Sequence, residues 1–275
     1  MKTKLFSLLF AALLFSSLSF AKIWRVNNNV GVTADFTTAQ AANNAASVMA
    51  GDTIHLEPSI TTYGGLSCTK RLTWISTGAF LNVHPNEQFS QNVGKIDALT
   101  VTQAGSANSV FHVYVNGPVD LQASGLRVDR CFAGGAIGIQ NYTFGAAPNN
   151  IVVINSYFKG VLNCNFGNNT VITNNIFEDG FEAGSSNTLA VITHNVFNAF
   201  RTNVGTVNNA IVENNIFNKA GSAYTFNNST RAVSYLLSLI IARKLSSLIF
   251  CALTQLKNGS RKIKKAIAAL TAAEK

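Results

Sequence analysis

Lys159, Glu178, Asp179, Glu182 and Arg201 form the densest charged group in the central part of this 275-residue chain. Side chains of these types could do two kinds of chemistry. Two or three converging carboxylates hydrolyse a glycosidic bond, one as acid and another as base or nucleophile. Alternatively, a base removes the α-proton of a uronic acid. A cation, either Ca²⁺ held by carboxylates or an arginine, then neutralises the sugar's own carboxylate and acidifies that proton. In that scheme Glu178, Asp179 and Glu182 are the candidate calcium ligands; the cofactor is otherwise left open, with calcium the one the residue types admit. The same five residues also read as an exposed ion-pair ladder, each pair worth ~0–1 kcal/mol, or as a patch that binds a sugar.

The segments that would position these residues repeat. VVINSYF starts at Val152, VITNNIF at Val171, VITHNVF at Val191 and IVENNIF at Ile211, so the steps are 19, 20 and 20 residues. A period near 20 marks a solenoid, whose units bury their apolar faces against one another. The leucine-rich spacing L-x-x-L-x-L is absent. Each phrase instead has a β-branched half, a polar pair such as Asn174–Asn175, then an aliphatic residue and Phe. That order reads as strand, sharp corner and strand, with Asn suited to the left-handed conformation a corner needs. Coils stacked about 4.8 Å apart would align Ser156, Asn175, Asn195 and Asn215 along one edge. Phe158, Phe177, Phe197 and Phe217 would line up inside in the same way. Both columns are read as structural, and so is His194, which stands where the preceding coil has Asn174. Aligned on the Phe positions, Lys159 and Glu178 fall on successive coils as neighbours, with Asp179 and Glu182 following.

The segment before the repeats is organised differently. IWRV opens with a strand. Thr37–Met49 has apolar residues at helical spacing, with Phe36, Ala39, Ala42, Ala46 and Met49 near one face and Asp35 as the expected cap. GDTI, a strand, Pro58, Tyr63-Gly64 and then Lys70-Arg71 before LTWISTG follow. This arrangement resembles the N-terminal cap and first coil of secreted right-handed parallel β-helix proteins of the pectin-lyase-like superfamily, over residues 22–230. The resemblance implies an all-β, right-handed, single-stranded parallel β-helix of about 20 residues per coil with an N-terminal capping helix. It also implies a polysaccharide as the partner, with β-elimination on an acidic glycan if the protein is catalytic. No activity motif of characterised pectate lyases or polygalacturonases is recognisable. A non-catalytic cell-surface structural or adhesion module is therefore the alternative, and a monomer is expected in either case.

Four parts follow from these patterns. Residues 1–21 read as a signal peptide: Lys2 and Lys4 precede an apolar run, and Ser19 and Ala21 supply the small residues of a cleavage site. The mature chain would start at Lys22 and be secreted, periplasmic or held at the cell surface. Residues 22–80 form the cap and first coil, and 81–230 the remaining coils, with longer loops between Phe80 and Asn150. Residues 231–275 carry nine basic side chains against Glu274, whereas the first 230 residues hold 12 basic and 11 acidic ones. The body thus lacks the basic footprint of a nucleic-acid binder. The Leu- and Ile-rich tail is broken by Arg243-Lys244, which disfavours a spanning helix. It reads either as a basic amphipathic helix that touches a membrane or caps the last coil, or as an out-of-frame or truncated end. Cys68, Cys131, Cys164 and Cys251 show no zinc spacing and read as buried thiols. His55, His84 and His112 are isolated, and Asp120, Asp129 and Arg130 are weaker candidates for an earlier groove.

Overall fold

The computed structural model describes residues 21–78, 92–105, 107–139, 148–164, 168–183, 190–198, 207–208, 210–217 and 226–227. Among them the chain is an all-β parallel solenoid. Its first sheet has nine strands in sequence order: Ile23–Val26, Thr53–Leu56, Thr73–Ser76, Ser109–Phe111, Arg127–Asp129, Val152–Ile154, Val171–Thr173, Val191–Thr193 and Ile211–Glu213. A second sheet stacks Leu66–Cys68, Leu99–Val101, Val119–Leu121, Ile137–Ile139, Leu162–Cys164 and Phe181–Ala183. A third runs from Lys95–Ile96 through Tyr114–Val115, Phe132–Ala133, Tyr157–Phe158, Ile176–Phe177 and Val196–Phe197 to Ile216–Phe217. Every pairing between described strands is parallel. Each repeat phrase supplies one strand to the first sheet and one to the third, and Val152, Val171, Val191 and Ile211 stand in register.

Alternation within these short strands sets the core. Ile172 is buried while Val171 and Thr173 are half-exposed, and the same pattern recurs one coil away at Ile192. Phe158, Phe177 and Phe197 are fully buried and stack face to face, with ring centroids 5.1 Å apart at each step. The rings stack because the strands hold them in register at one strand spacing, near the separation at which offset aromatic pairs attract.

At the corner between the first and third sheets the preceding residue takes the left-handed conformation: φ is +58° at Asn174, +58° at His194 and +55° at Asn214. The buried residue after it links the coils. Ser156 N donates to Asn175 Oδ1, Asn175 N to Asn195 Oδ1 and Asn195 N to Asn215 Oδ1, all at 2.9 Å. Each amide nitrogen also donates to main-chain carbonyls, Asn175 Nδ2 to Val153 O at 2.9 Å and Thr173 O at 3.0 Å. The column starts at Cys131, whose N–H donates to Ser156 Oγ at 3.0 Å. His194 is bonded to the next coil, its Nε2 3.3 Å from Asn214 Nδ2.

The helix near the N-terminus is shorter than its apolar spacing predicts. It covers Ala39–Asn44, with Thr38 as its cap accepting from Ala41 N at 3.1 Å. Asp35, expected as the cap, accepts instead from Arg25 N at 2.8 Å and ties down the first strand. Asn43 and Asn44, residues of low helix propensity, end the helix; the Asn43 amide bonds to Thr69 across to the second sheet. Beyond the helix Val48 is buried and Met49 is 62% exposed, the reverse of the helical reading at that position. Cys68, Cys131 and Cys164 are buried thiols, and loss of solvation pushes all three pKa values up, that of Cys131 to about 12. No described helix is long and apolar enough to cross a membrane. The leader residues 1–20, His84 and the tail 231–275 with Cys251 lie outside the described residues.

The corner column yields a stability prediction. Asn175→Ala removes the acceptor of the Ser156 N–H and the donor to the buried Val153 carbonyl, so it is expected to cost roughly 2–4 kcal/mol. Asn175→Ser, which restores the side chain found one coil earlier, recovers part of that loss. Urea unfolding midpoints of the two variants and the parent check the order.

Candidate functional site

The structure distributes the four described members of the charged group over two places. Phe158 pairs with Phe177, so Lys159 and Glu178 follow on adjacent coils at the corner from the third sheet into the second, with Asp179 beside them. Glu182 lies farther on, inside the second sheet, in register with Asn163. Arg201 lies outside the described residues. At the corner Glu178 takes a hydrogen bond from the Tyr157 hydroxyl. That bond, with burial second, pushes the phenol's pKa up to about 12. The Lys159 ammonium lies 5.8 Å from the Phe132 ring centroid, in a cation–π position. Among the described residues, no three His, Cys, Asp or Glu side chains group closely enough to hold a metal ion. Glu178, Asp179 and Glu182 are all described, and they do not fit the calcium set that the residue types alone suggest.

Glu182 belongs to a different arrangement. The register of the second sheet places Thr100, Asp120, Gly138, Asn163 and Glu182 side by side on five successive strands. Their neighbours Leu99, Leu121, Ile137, Leu162 and Cys164 point into the core, so this column lies on the outer face. At about 4.8 Å per strand it runs ~19 Å along the solenoid. Gly138 supplies no side chain between Asp120 and Asn163 and is itself buried.

Two acceptors in this column are unsatisfied. Asp120 Oδ1 and Asn163 Oδ1 are buried and have no hydrogen-bond partner among the described residues. The other Asp120 oxygen accepts from Gln122 Nε2 at 2.7 Å. Burial raises the Asp120 pKa, and the Gln122 bond only partly offsets it. A buried acceptor left without a donor costs on the order of 1–3 kcal/mol, so the pair stands out from the general pairing of buried polar atoms.

The turn beside the column is built for close approach. A Cβ on Gly160 would fall 2.3 Å from Ala136 N and 2.5 Å from Gly135 C, and one on Gly135 would fall 2.8 Å from Gly117 C. These glycines keep the edge of the second sheet low. The third sheet differs on its outer face, where Tyr114, Phe132 and Tyr157 stack on one another with centroids 4.4 and 5.5 Å apart. The inner faces of this three-ring stack are turned toward one another.

Of the weaker candidates, Asp129 belongs to the first sheet. It is buried, paired with Arg127 Nη2 at 2.8 Å, and accepts from Asn155 Nδ2 at 3.0 Å, a structural arrangement. Arg130 sits at a left-handed corner, 3.3 Å from His112 Nε2. Asn163, Gln122 and Gly138 escape a reading of residue types because neither amide belongs to a motif. The signal that could have found them is the alternation around Leu162 and Leu121.

No protein-family model, curated protein or solved structure matches the chain.

The raised Asp120 pKa carries a prediction with a definite sign. A carboxyl whose folded pKa lies above its unfolded value of about 3.9 favours folding when protonated, and that contribution is lost as pH rises through the folded pKa. Asp120→Asn should therefore melt at or above the parent temperature at pH 7, and its advantage should vanish below about pH 4. Thermal melts across that range check the sign.

Proposed function

We propose that the protein is a secreted right-handed parallel β-helix, capped by its short N-terminal helix, that binds an extended polysaccharide along the outer face of its second sheet. The observation that carries this reading is the column Thr100–Asp120–Gly138–Asn163–Glu182, with two buried acceptors lacking donors among the described residues. Sugar hydroxyls are the donors that suit it. A glycan presents them at short, regular intervals along a linear chain, and the column repeats at each strand. Asp120 and Asn163 accept hydroxyl hydrogen bonds on either side of Gly138, Glu182 extends the contact by one coil, and Gln122 holds the Asp120 carboxylate in place.

Cleavage is a separate claim. β-Elimination needs a base at the sugar's α-proton and a cation at its carboxylate. Asp120 stands in the column as the carboxylate nearest to a base role, its affinity for protons increased by burial. The calcium set does not assemble, so no step is drawn through that ion. Glycan binding without turnover, as in an adhesion or surface module, needs only the column.

Incubation of chain 22–275 with acidic and neutral polysaccharides separates these readings. Affinity electrophoresis should show retardation by at least one glycan, weakened about 5–20-fold in Asp120→Ala and in Asn163→Ala, the loss of roughly one hydrogen bond each. Glu178→Ala, at the corner, should bind like the parent. Unsaturated uronate absorbance would establish a lyase, and reducing ends alone a hydrolase. Equal retention by all variants would remove the column from the proposal.

A further inference from the structure

The first strand starts immediately after the bond at which the leader is read to end. Lys22 N donates to Asp52 Oδ1 at 2.9 Å. The other Asp52 oxygen accepts from Trp24 Nε1 at 2.8 Å and from Met49 N at 2.9 Å. Asp52 is only 5% exposed, whereas Ala21 and Lys22 are exposed. Burial raises the Asp52 pKa, but the three hydrogen bonds outweigh it and hold the carboxyl below its usual range. The Lys22 ε-ammonium lies over the Trp24 ring, 3.3 Å from its centroid, which leaves the backbone nitrogen as the group aimed at the carboxylate. One buried carboxylate thus gathers the start of the first strand, its tryptophan and the turn that follows the helix.

We propose that hydrolysis of the Ala21–Lys22 bond seats the new α-ammonium of Lys22 on Asp52, so that processing itself fastens the N-terminal end of the solenoid. Water adds across the amide, the carboxylate leaves with the leader on Ala21, and the Lys22 nitrogen takes up a proton. A leader peptidase, not this chain, performs the step. The geometry needs no rearrangement, because the nitrogen already lies 2.9 Å from the acceptor. What changes is charge: the bond is already charge-assisted through the ionised Asp52, and cleavage adds a formal positive charge to its donor, so a Coulombic attraction between two ions joins the existing hydrogen bond. A cut one residue earlier would leave a neutral amide at this position, and a cut one residue later would remove the donor.

The inference rests on the leader reading, and its test separates the two. Three chains ending at Lys275 are compared: one starting at Lys22 with no residue left from its tag, one starting at Ala21, and one starting at Lys22 with its α-nitrogen acetylated. The free Lys22 amine should melt roughly 2–4 °C above the other two, which should agree with each other. Asp52→Asn should abolish the gap. Equal melting of the three chains with Asp52 intact would overturn the ion pair, whether or not Asp52→Asn folds, and so would a gap that survives in Asp52→Asn. N-terminal sequencing of the exported full-length precursor should read Lys-Ile-Trp. Any other start would overturn the processing step while leaving the measured pair standing.

Discussion

In four successive coils the chain turns sharply between its strands in the first and third sheets, and at that corner one buried backbone N–H is met from the neighbouring coil. The next coil supplies the acceptor: the side-chain oxygens of Ser156, Asn175, Asn195 and Asn215 take the N–H groups of Cys131, Ser156, Asn175 and Asn195. A buried unsatisfied N–H costs about as much as a fair fraction of a domain's net stability, so this exchange cannot be omitted at any step. The rest of the stack depends on it. Once the corners are locked coil to coil, the strands on either side must be in register, and the Phe158–Phe177–Phe197 stack and the buried Ile172 and Ile192 follow. Each coil therefore carries its own hydrogen-bond accounting, and only its outward residues are left to vary.

The outward residues differ sharply between sheets. On the third sheet they are mostly aromatic or aliphatic, Lys95 being the exception, and Tyr114, Phe132 and Tyr157 stack on one another. On the second they are polar apart from Gly138, with two buried acceptors that nothing among the described residues satisfies. A stable fold would gain from apolar groups or donors at Asp120 and Asn163. Polar atoms kept at a cost in stability are the signature of a surface selected for something other than folding, and this gives the second sheet its place in the functional proposal.

The N-terminal end follows the same logic of satisfying what is buried. Asp52 would be expensive without donors, and it is met by three, two of them backbone groups that would otherwise be loose at the end of a solenoid. Arg25, paired with Glu57, adds an exposed link between the first two strands, of the modest value such pairs have. The end is thus closed by polar anchoring around a short helix.

The sequence alone settled the parallel stacking of the repeats, the inward Phe column and the structural part played by Asn175, Asn195, Asn215 and His194. Those features recur at steps of 19 and 20 residues, and a fixed period maps directly onto a fixed register. The tertiary structure alone assembled the column on which the functional proposal rests. Thr100, Asp120, Gly138, Asn163 and Glu182 stand in one column although their spacings in the chain are 20, 18, 25 and 19 residues. Loops of unequal length between coils destroy the period without disturbing the strand pairing. Glu178 and Glu182 looked like one cluster because they are four residues apart, but a corner lies between them and sends them to different edges of the coil. The burial of Asp52 and Asp120 was equally invisible, because burial is set by neighbours that the chain brings back from tens of residues away.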